Sequence, residues 1–266
     1  MERVIRIGRQ LYFATIDCFA EPASSGPLDV VIDDAAGVKV EELARRIAVD
    51  VRERHGAQRA EVRIAARYPE HKPAPVSGIA TQEIYTLLGQ AVATGRGTRR
   101  VIGVSAQGMT ASPWAQQLVA GRSRERLAAE GFSDDEIESI LEAVPVATHD
   151  QRGQGTLTLE LPEECDADLD ALELLAIVED SMSSEIYELM KRSDEGAIVD
   201  KATRRPRFPE DCVREAILGV IERFGGLPDD VVVSARQESL ETIHLHTVVA
   251  ERSGLLGELR RELSAA

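Results

Sequence analysis

Two of the chain's five histidines, His244 and His246, stand two residues apart between Glu238 and Thr247, with Glu238 and Glu241 just ahead of them. Ile243, Leu245, Val248 and Val249 are interleaved or follow, and Val231, Val232 and Val233 come before. Aliphatic and β-branched residues in this proportion predict a strand, on which residues i and i+2 share a face. Both imidazoles would then project from one side. Imidazole and carboxylate together suit a divalent metal such as zinc or iron, or a proton relay; the same spacing equally suits histidines exposed on an edge strand.

Four other stretches carry chemistry. Gly108 to Gln116 is a small-residue turn that includes the only tryptophan, Trp114. Pro145 to Gly155 sets His149 in a polar, glycine-flanked segment, where an Asx turn at Asp150 is the simpler reading. Lys191, Arg192, Asp194 and Glu195 bring opposite charges together, as solvated faces commonly do. Glu210 and Asp211 follow Pro209, a position where acids also favour a helix N-terminus without any further role.

These residues need elements to position them. Strands are predicted over Gln10–Phe19, Leu28–Ile32, Arg59–Tyr68 (ending at Pro69), and a hairpin over Glu83–Ala93 and Val101–Val104 turning at Gly95-Arg96-Gly97. A helix is predicted over Lys39–His55 from Val40, Leu43, Ala44, Ile47, Ala48 and Val51, and a loop over His71–Gly78. Arg122–Leu141 reads as helical, with a Ser133/Glu136 capping box. Gly155–Leu161 alternates as a strand, and Asp168–Glu188 reads as one or two acidic helices. Pro209–Phe224 reads as a helix stopped by Gly225-Gly226, with strands Val231–Ala235 and Ile243–Ala250 after it. Strands and helices in this order predict an α+β fold.

Composition narrows the function. At 266 residues and 43% hydrophobic, the chain can bury a core, and no apolar run reaches membrane-spanning length. The N-terminal residues lack a signal-peptide pattern, and three scattered cysteines without CxxC point to a reducing cytoplasm. A net charge of −15 argues against a nucleic-acid or anionic-membrane partner, while leaving room for one small phosphorylated ligand on a local arginine cluster.

Taken in order, the chain resembles the GTP cyclohydrolase family that unites the bacterial type IB and archaeal type IV enzymes. The resemblance rests on Arg59-Ala60-Glu61-Val62, Thr81-Gln82-Glu83-Ile84-Tyr85, Gly108-Met109-Thr110-Ala111, Ala147-Thr148-His149-Asp150-Gln151-Arg152, Lys191-Arg192-Ser193-Asp194-Glu195, Phe208-Pro209-Glu210-Asp211 and Glu241-Thr242-Ile243-His244-Leu245-His246. It covers nearly the whole chain, and the long helical insert before His149 is closer to the archaeal form. The resemblance implies a tunnelling fold of two sheet-plus-helices modules, 1–145 with the insert and 146–266. Barrels would be completed in a homotetramer or other even homo-oligomer, with active sites at the interfaces.

The implied reaction opens the imidazole ring of GTP with a metal-activated water, releases formate and recloses the product as a dihydropterin. One divalent metal per site, Fe(II), Zn or Mn, is implied, with His149, Glu195, Glu241 and His244 as its candidate holders. Glu210 is the candidate anchor of the guanine edge. Trp114, Gln151, Arg152, Lys191 and Arg192 are candidate substrate-binding residues, and Ser112, His149 and His246 candidate catalytic ones, His246 as a proton relay.

Two departures stand out. Ser112-Pro113 replaces the family's Cys-Pro, and Trp114 stands at the next family cysteine; a hydroxyl is a far poorer ligand and nucleophile than a thiolate. Lys39-Val40-Glu41-Glu42 replaces His-Met-Ser-Arg, and two acids there would repel a triphosphate. Asp150 for asparagine and Ser193 for proline are milder. Two further readings stay open: a homologue that binds a purine or pterin without turnover, and a lyase or cyclase on a pterin-like substrate.

Overall fold

The computed structural model describes residues 2–7, 10–21 and 38–264. The strand expected at Leu28–Ile32 lies outside them. Among the described residues nine strands form one antiparallel sheet: β1 (Glu2–Ile7), β2 (Gln10–Glu21), β3 (Arg59–Pro73), β4 (Ala80–Thr94), β5 (Gly97–Ala111), β6 (Asp150–Leu161), β7 (Ser184–Glu185), β8 (Val232–Leu240) and β9 (Thr247–Leu255). Their order is β1-β2-β3-β4-β5-β6-β8-β9, with the short β7 added to β5. The helices are α1 (Val40–Arg54), α2 (Pro113–Ala129), α3 (Asp134–Ala143), α4 (Ala171–Ser181), α5 (Arg192–Arg204), α6 (Pro209–Arg223) and α7 (Leu256–Ser264). None of them is long and apolar enough to cross a membrane.

Period-two patterning puts one face of each central strand into the core. On β6 the buried side chains Leu157, Leu159 and Leu161 alternate with partly exposed ones. Helix α1 lays Val40, Leu43, Ala44, Ile47, Ala48 and Val51 on β3, β4 and β5, each large aliphatic worth roughly 1.5–3 kcal/mol when buried. It comes close because β4 carries Gly89, where a Cβ would stand 2.6 Å from the Val40 carbonyl oxygen. Helices α4 and α6 cover β5, β6 and β8 in the same way. Helix α2 buries none of its residues.

The expected hairpin forms, with β4 and β5 paired from Thr94↔Gly97 to Thr86↔Ser105. Four expectations change. Strand β3 runs past Pro69 to Pro73, because beyond Ala66 it has, among the described residues, a partner only in β4, and a singly paired strand tolerates proline. The connection that follows is residues 74–79 alone, with Gly78 at φ 66°. The helical stretch at Arg122–Leu141 begins earlier, at Pro113, and breaks into two at Gly131 (φ 92°); Glu136 Oε2 then accepts from the Ser133 amide at 2.9 Å. Within Asp168–Glu188 only α4 is helical. Beyond it Ser183 donates its backbone N–H to Met109 O, and its hydroxyl accepts from Ala111 N, so the chain pairs with β5.

The fourth change concerns the histidine pair. Pairing between β6 and β8 ends at Arg152↔Leu240 and pairing between β8 and β9 ends at Leu240↔Thr247, so residues 241–246 form the connection, not a strand. The module boundary expected at 145/146 falls between β5 and β6, which pair from Arg100↔Leu161 to Ala111↔Asp150.

Candidate functional site

The ends of β5, β6 and β8 meet at one corner of the sheet. Ala111 of β5 pairs with Asp150 of β6, and Thr110 with Gln151. On the other side Arg152 pairs with Leu240, which brings the next residue, Glu241, level with Gln151. His149, one residue before β6, therefore sits between Ser112 and Glu241. Its carbonyl accepts from Ser112 N at 3.1 Å, and its Nδ1 lies 2.9 Å from Gln151 Oε1 and 3.9 Å from Glu241 Oε2. The His149 and Glu241 side chains are only 16% and 9% exposed, and Gln151 is buried.

The corner is held from behind. Arg207 donates its backbone N–H to Ala111 O, and its guanidinium donates to Asp180 O, Ser181 O and Glu215 Oε2 at 2.6–2.9 Å. That ties β5, α4 and α6 together. Asp194 does the same for α5. It is fully buried and accepts from Val76 N, Ser77 N, Ser77 Oγ and Lys191 N at 2.7–2.9 Å. Burial alone would push its carboxyl up, but hydrogen bonds from Ser77, Lys191 and Val76 outweigh that and hold it well below the ordinary carboxylate range.

The expected residues divide. His149, Gln151, Glu241 and Ser112 come together. The Ser112 hydroxyl accepts from Ala115 N at 3.4 Å as the N-cap of α2, a structural use for a serine in this place. Trp114 is 67% exposed in the first turn of α2, so it fills no core. Arg152 points outward, reaching Gln107 Oε1 at 3.3 Å. Lys191, Arg192 and Glu195 are exposed at the start of α5. Glu210 is exposed at the start of α6, on a groove of about 270 Å³ between α6, β9 and α7. His244 and His246 are exposed in the 241–246 connection, their rings stacked 5.0 Å apart.

Glu41 and Glu42, the two acids expected to repel a triphosphate, both lie in the first turn of α1. Glu41 is buried, and Glu42 pairs with Arg45 and Arg46 at 2.6 and 3.1 Å.

Among the described residues no group of three or more His, Cys, Asp or Glu side chains is arranged to hold a metal ion. The donors at the corner nevertheless fit a divalent cation in kind. They are the His149 imidazole and the Glu241 carboxylate; the adjacent Asp150 has its Oδ1 buried without a hydrogen-bond partner. A buried carboxylate oxygen without a donor is costly. Burial also pushes the Asp150 carboxyl above its ordinary range, against the pull of His149.

Sequence reasoning missed the clamps at Asp194 and Arg207 and a polar cluster joining β3, β4 and α4. There Lys72 Nζ meets Glu179 Oε1 at 2.6 Å, Tyr85 donates to the same oxygen at 2.9 Å, and the Lys72 ammonium sits 4.3 Å from the Tyr187 ring centroid. Only Asp194 had a sequence signal: an acid three residues after a helix-starting Lys191 is placed to accept the first free amide.

A profile of the type I GTP cyclohydrolase folE2 family matches residues 28–250. GTP cyclohydrolase MptA of Methanococcus aeolicus is 40% identical over 230 residues, 84% of this chain and 74% of that protein. The MptA protein of Methanosarcina mazei is 39% identical over 234 residues, 85% and 73% of the two chains. That of Haloarcula marismortui is 37% identical over 283 residues, 99% and 91% of the two chains. Among solved structures, uricase from Arthrobacter globiformis shares the fold, with a TM-score of 0.52 at 8% identity over 96% of this chain and 90% of that one. The sheet and its helices are thus a tunnelling fold, and with relatives at 37–40% identity and a profile spanning most of its length, the chain belongs to the type I GTP cyclohydrolase family, close to its archaeal members.

Proposed function

We propose that the chain is a metal-dependent GTP cyclohydrolase, which opens the imidazole ring of GTP or a related purine nucleotide, releases formate and yields a pterin. The observation that carries this reading is the His149 corner: an imidazole nearly shut off from solvent, fixed by Gln151 and facing the Glu241 carboxylate, in a chain of this family. A divalent metal, Fe(II), Zn(II) or Mn(II), would be held by His149, with Glu195, Glu241 and His244 as the other donors; bound there, it supplies hydroxide at neutral pH and polarises the attacked carbon.

The chain's own side chains do the rest. Glu210, exposed in the first turn of α6, accepts hydrogen bonds from the guanine N–H edge. Lys191 and Arg192, exposed at the N-terminus of α5, meet phosphate oxygens, which the helix dipole also favours. Trp114 bounds the substrate beside Ser112, and His246 relays a proton. The assembly in this reading is a homotetramer or other even homo-oligomer of two-module subunits. Its support is that β1 and β9 end the sheet, each paired on one side only among the described residues. The free cysteines Cys18, Cys165 and Cys212 support a cytoplasmic site of action.

One observation favours the rival reading, a homologue that binds purine or pterin without turnover: Ser112 spends its hydroxyl on capping α2, where the family places a thiolate. Formate measurement separates the two. Protein purified without chelator and supplied with Fe(II), Mn(II) or Zn(II) is expected to release formate from GTP. GTP binding without formate under every metal would establish the rival.

A further inference from the structure

We propose that Gln151 is a positioning residue which, together with Glu241, holds His149 in the tautomer protonated at Nδ1 and so leaves Nε2 as the nitrogen that offers its lone pair to the reaction. The inference rests on the reading that His149 stands at the reaction centre, and it deepens that reading by naming the atom.

The geometry is specific. Gln151 follows His149 by two residues at the start of β6, so its side chain lies on the same side as the imidazole. Backbone pairing with Thr110 fixes its position, and it is 5% exposed, so its amide has little room to turn away. Two oxygens approach the same ring nitrogen: Gln151 Oε1 at 2.9 Å and Glu241 Oε2 at 3.9 Å from Nδ1. A neutral imidazole has one N–H and one lone pair. An amide alone leaves the choice open, because Gln151 turned over would present its NH₂ group to Nδ1 instead. The carboxylate closes that choice. It has no proton to give, so a lone pair on Nδ1 would face it repulsively, whereas an N–H there is attracted to both oxygens.

Nδ1 is then occupied and Nε2 is free. A nitrogen already donating to Gln151 cannot also coordinate a metal or accept a proton. Glu241 uses Oε2 on the imidazole and keeps Oε1 available as a donor in its own right. Gln151, which the family resemblance placed against substrate, acts here through His149. Histidines that bind metals commonly have their other ring N–H held in this way, and removing the holder typically weakens metal affinity about 10–100-fold.

The test uses the full chain, metal-free, at a pH where the imidazole is neutral. Long-range ¹⁵N–¹H spectra identify the protonated ring nitrogen of each of the five histidines, with His149 assigned by its loss in His149→Gln. The wild type is expected to show N–H at Nδ1 of His149. Gln151→Leu, which leaves only the Glu241 carboxylate at 3.9 Å, is expected to weaken that preference and to weaken Zn(II) binding, measured by chelator competition, about 10–100-fold. Gln151→Glu, which keeps an acceptor, restores both. A wild-type signal with the proton on Nε2 overturns the proposal, and so does a Gln151→Leu variant with unchanged tautomer and Zn(II) affinity. The wild-type spectrum needs no variant to fold. Neither readout involves GTP, so a protein that releases no formate but shows the Nδ1–H signal loses the cyclohydrolase reading and keeps this one.

Discussion

His149 precedes β6 and the His244/His246 pair follows β8, the strand paired with β6, yet they are held in opposite ways. His149 stands where three strands end together; its carbonyl and its Nδ1 are engaged, and its side chain is mostly out of water. His244 and His246 belong to a connection between β8 and β9, exposed and stacked on one another. Leu245 between them lies fully in solvent. The difference is one of cross-strand support. Register gives a side chain a fixed partner, whereas a connection lets it be placed by whatever binds later. In the reading proposed above, His149 is the pre-organised part of the site and the 241–246 connection the adaptable part.

The clamp at Asp194 gives the strongest way to break that contrast. Asp194→Ala deprives the amides of Val76, Ser77 and Lys191 of their acceptor at once and should cause the largest fall in urea midpoint of the variants named here. The same carboxyl sets a pH dependence. Its folded pKa is depressed, so its stabilisation is fully present above the unfolded value of about 3.9 and is lost as pH falls below it toward the folded value. Denaturation curves of Asp194→Asn should lack that acid-limb loss.

Next in size is Gly155→Val on β6, the strand that carries the corner. A Cβ there would already lie 2.6 Å from Val178 Cγ1 and 3.1 Å from Gln237 Oε1, so a branched side chain should cost about 3 kcal/mol in urea unfolding. The smallest effect belongs to the connection. Leu245→Ser should stay within about 0.5 kcal/mol of the parent, because that side chain packs on nothing. A loss near 2 kcal/mol would mean that the 241–246 segment is as fixed as the corner.

Much of the scaffold was legible because its patterns are local. The apolar stripe from Val40 to Val51, the alternation before Leu161 and the glycines at 95 and 97 each specify an element without reference to the rest of the chain. The connection at 241–246 was misread as a strand because Ile243 and Leu245 have the composition of one. Only the ladder ends at Leu240 and Thr247 reveal that nothing pairs with them. The seven ordered motifs brought out the family, and they led to His149 and Glu241. They did not reveal that Ser112 caps a helix, that Asp194 is a buried clamp, or that Gln151 and Glu241 share one nitrogen of His149. The reach of Asp194 to Val76 and Ser77 and the approach of Glu241 to His149 depend on distance between elements far apart in sequence, to which composition and spacing are blind.

The most direct test of the contrast is formate release from GTP, measured side by side in His149→Ala and His246→Ala with metal supplied. Loss of the fixed imidazole should lower the rate by about 10²–10⁴-fold, as removal of a positioned proton-transfer or ligand group does, while loss of the relay in the connection should cost less. An unchanged rate in His149→Ala, or a greater loss in His246→Ala, would contradict the account and move the working centre into the 241–246 connection.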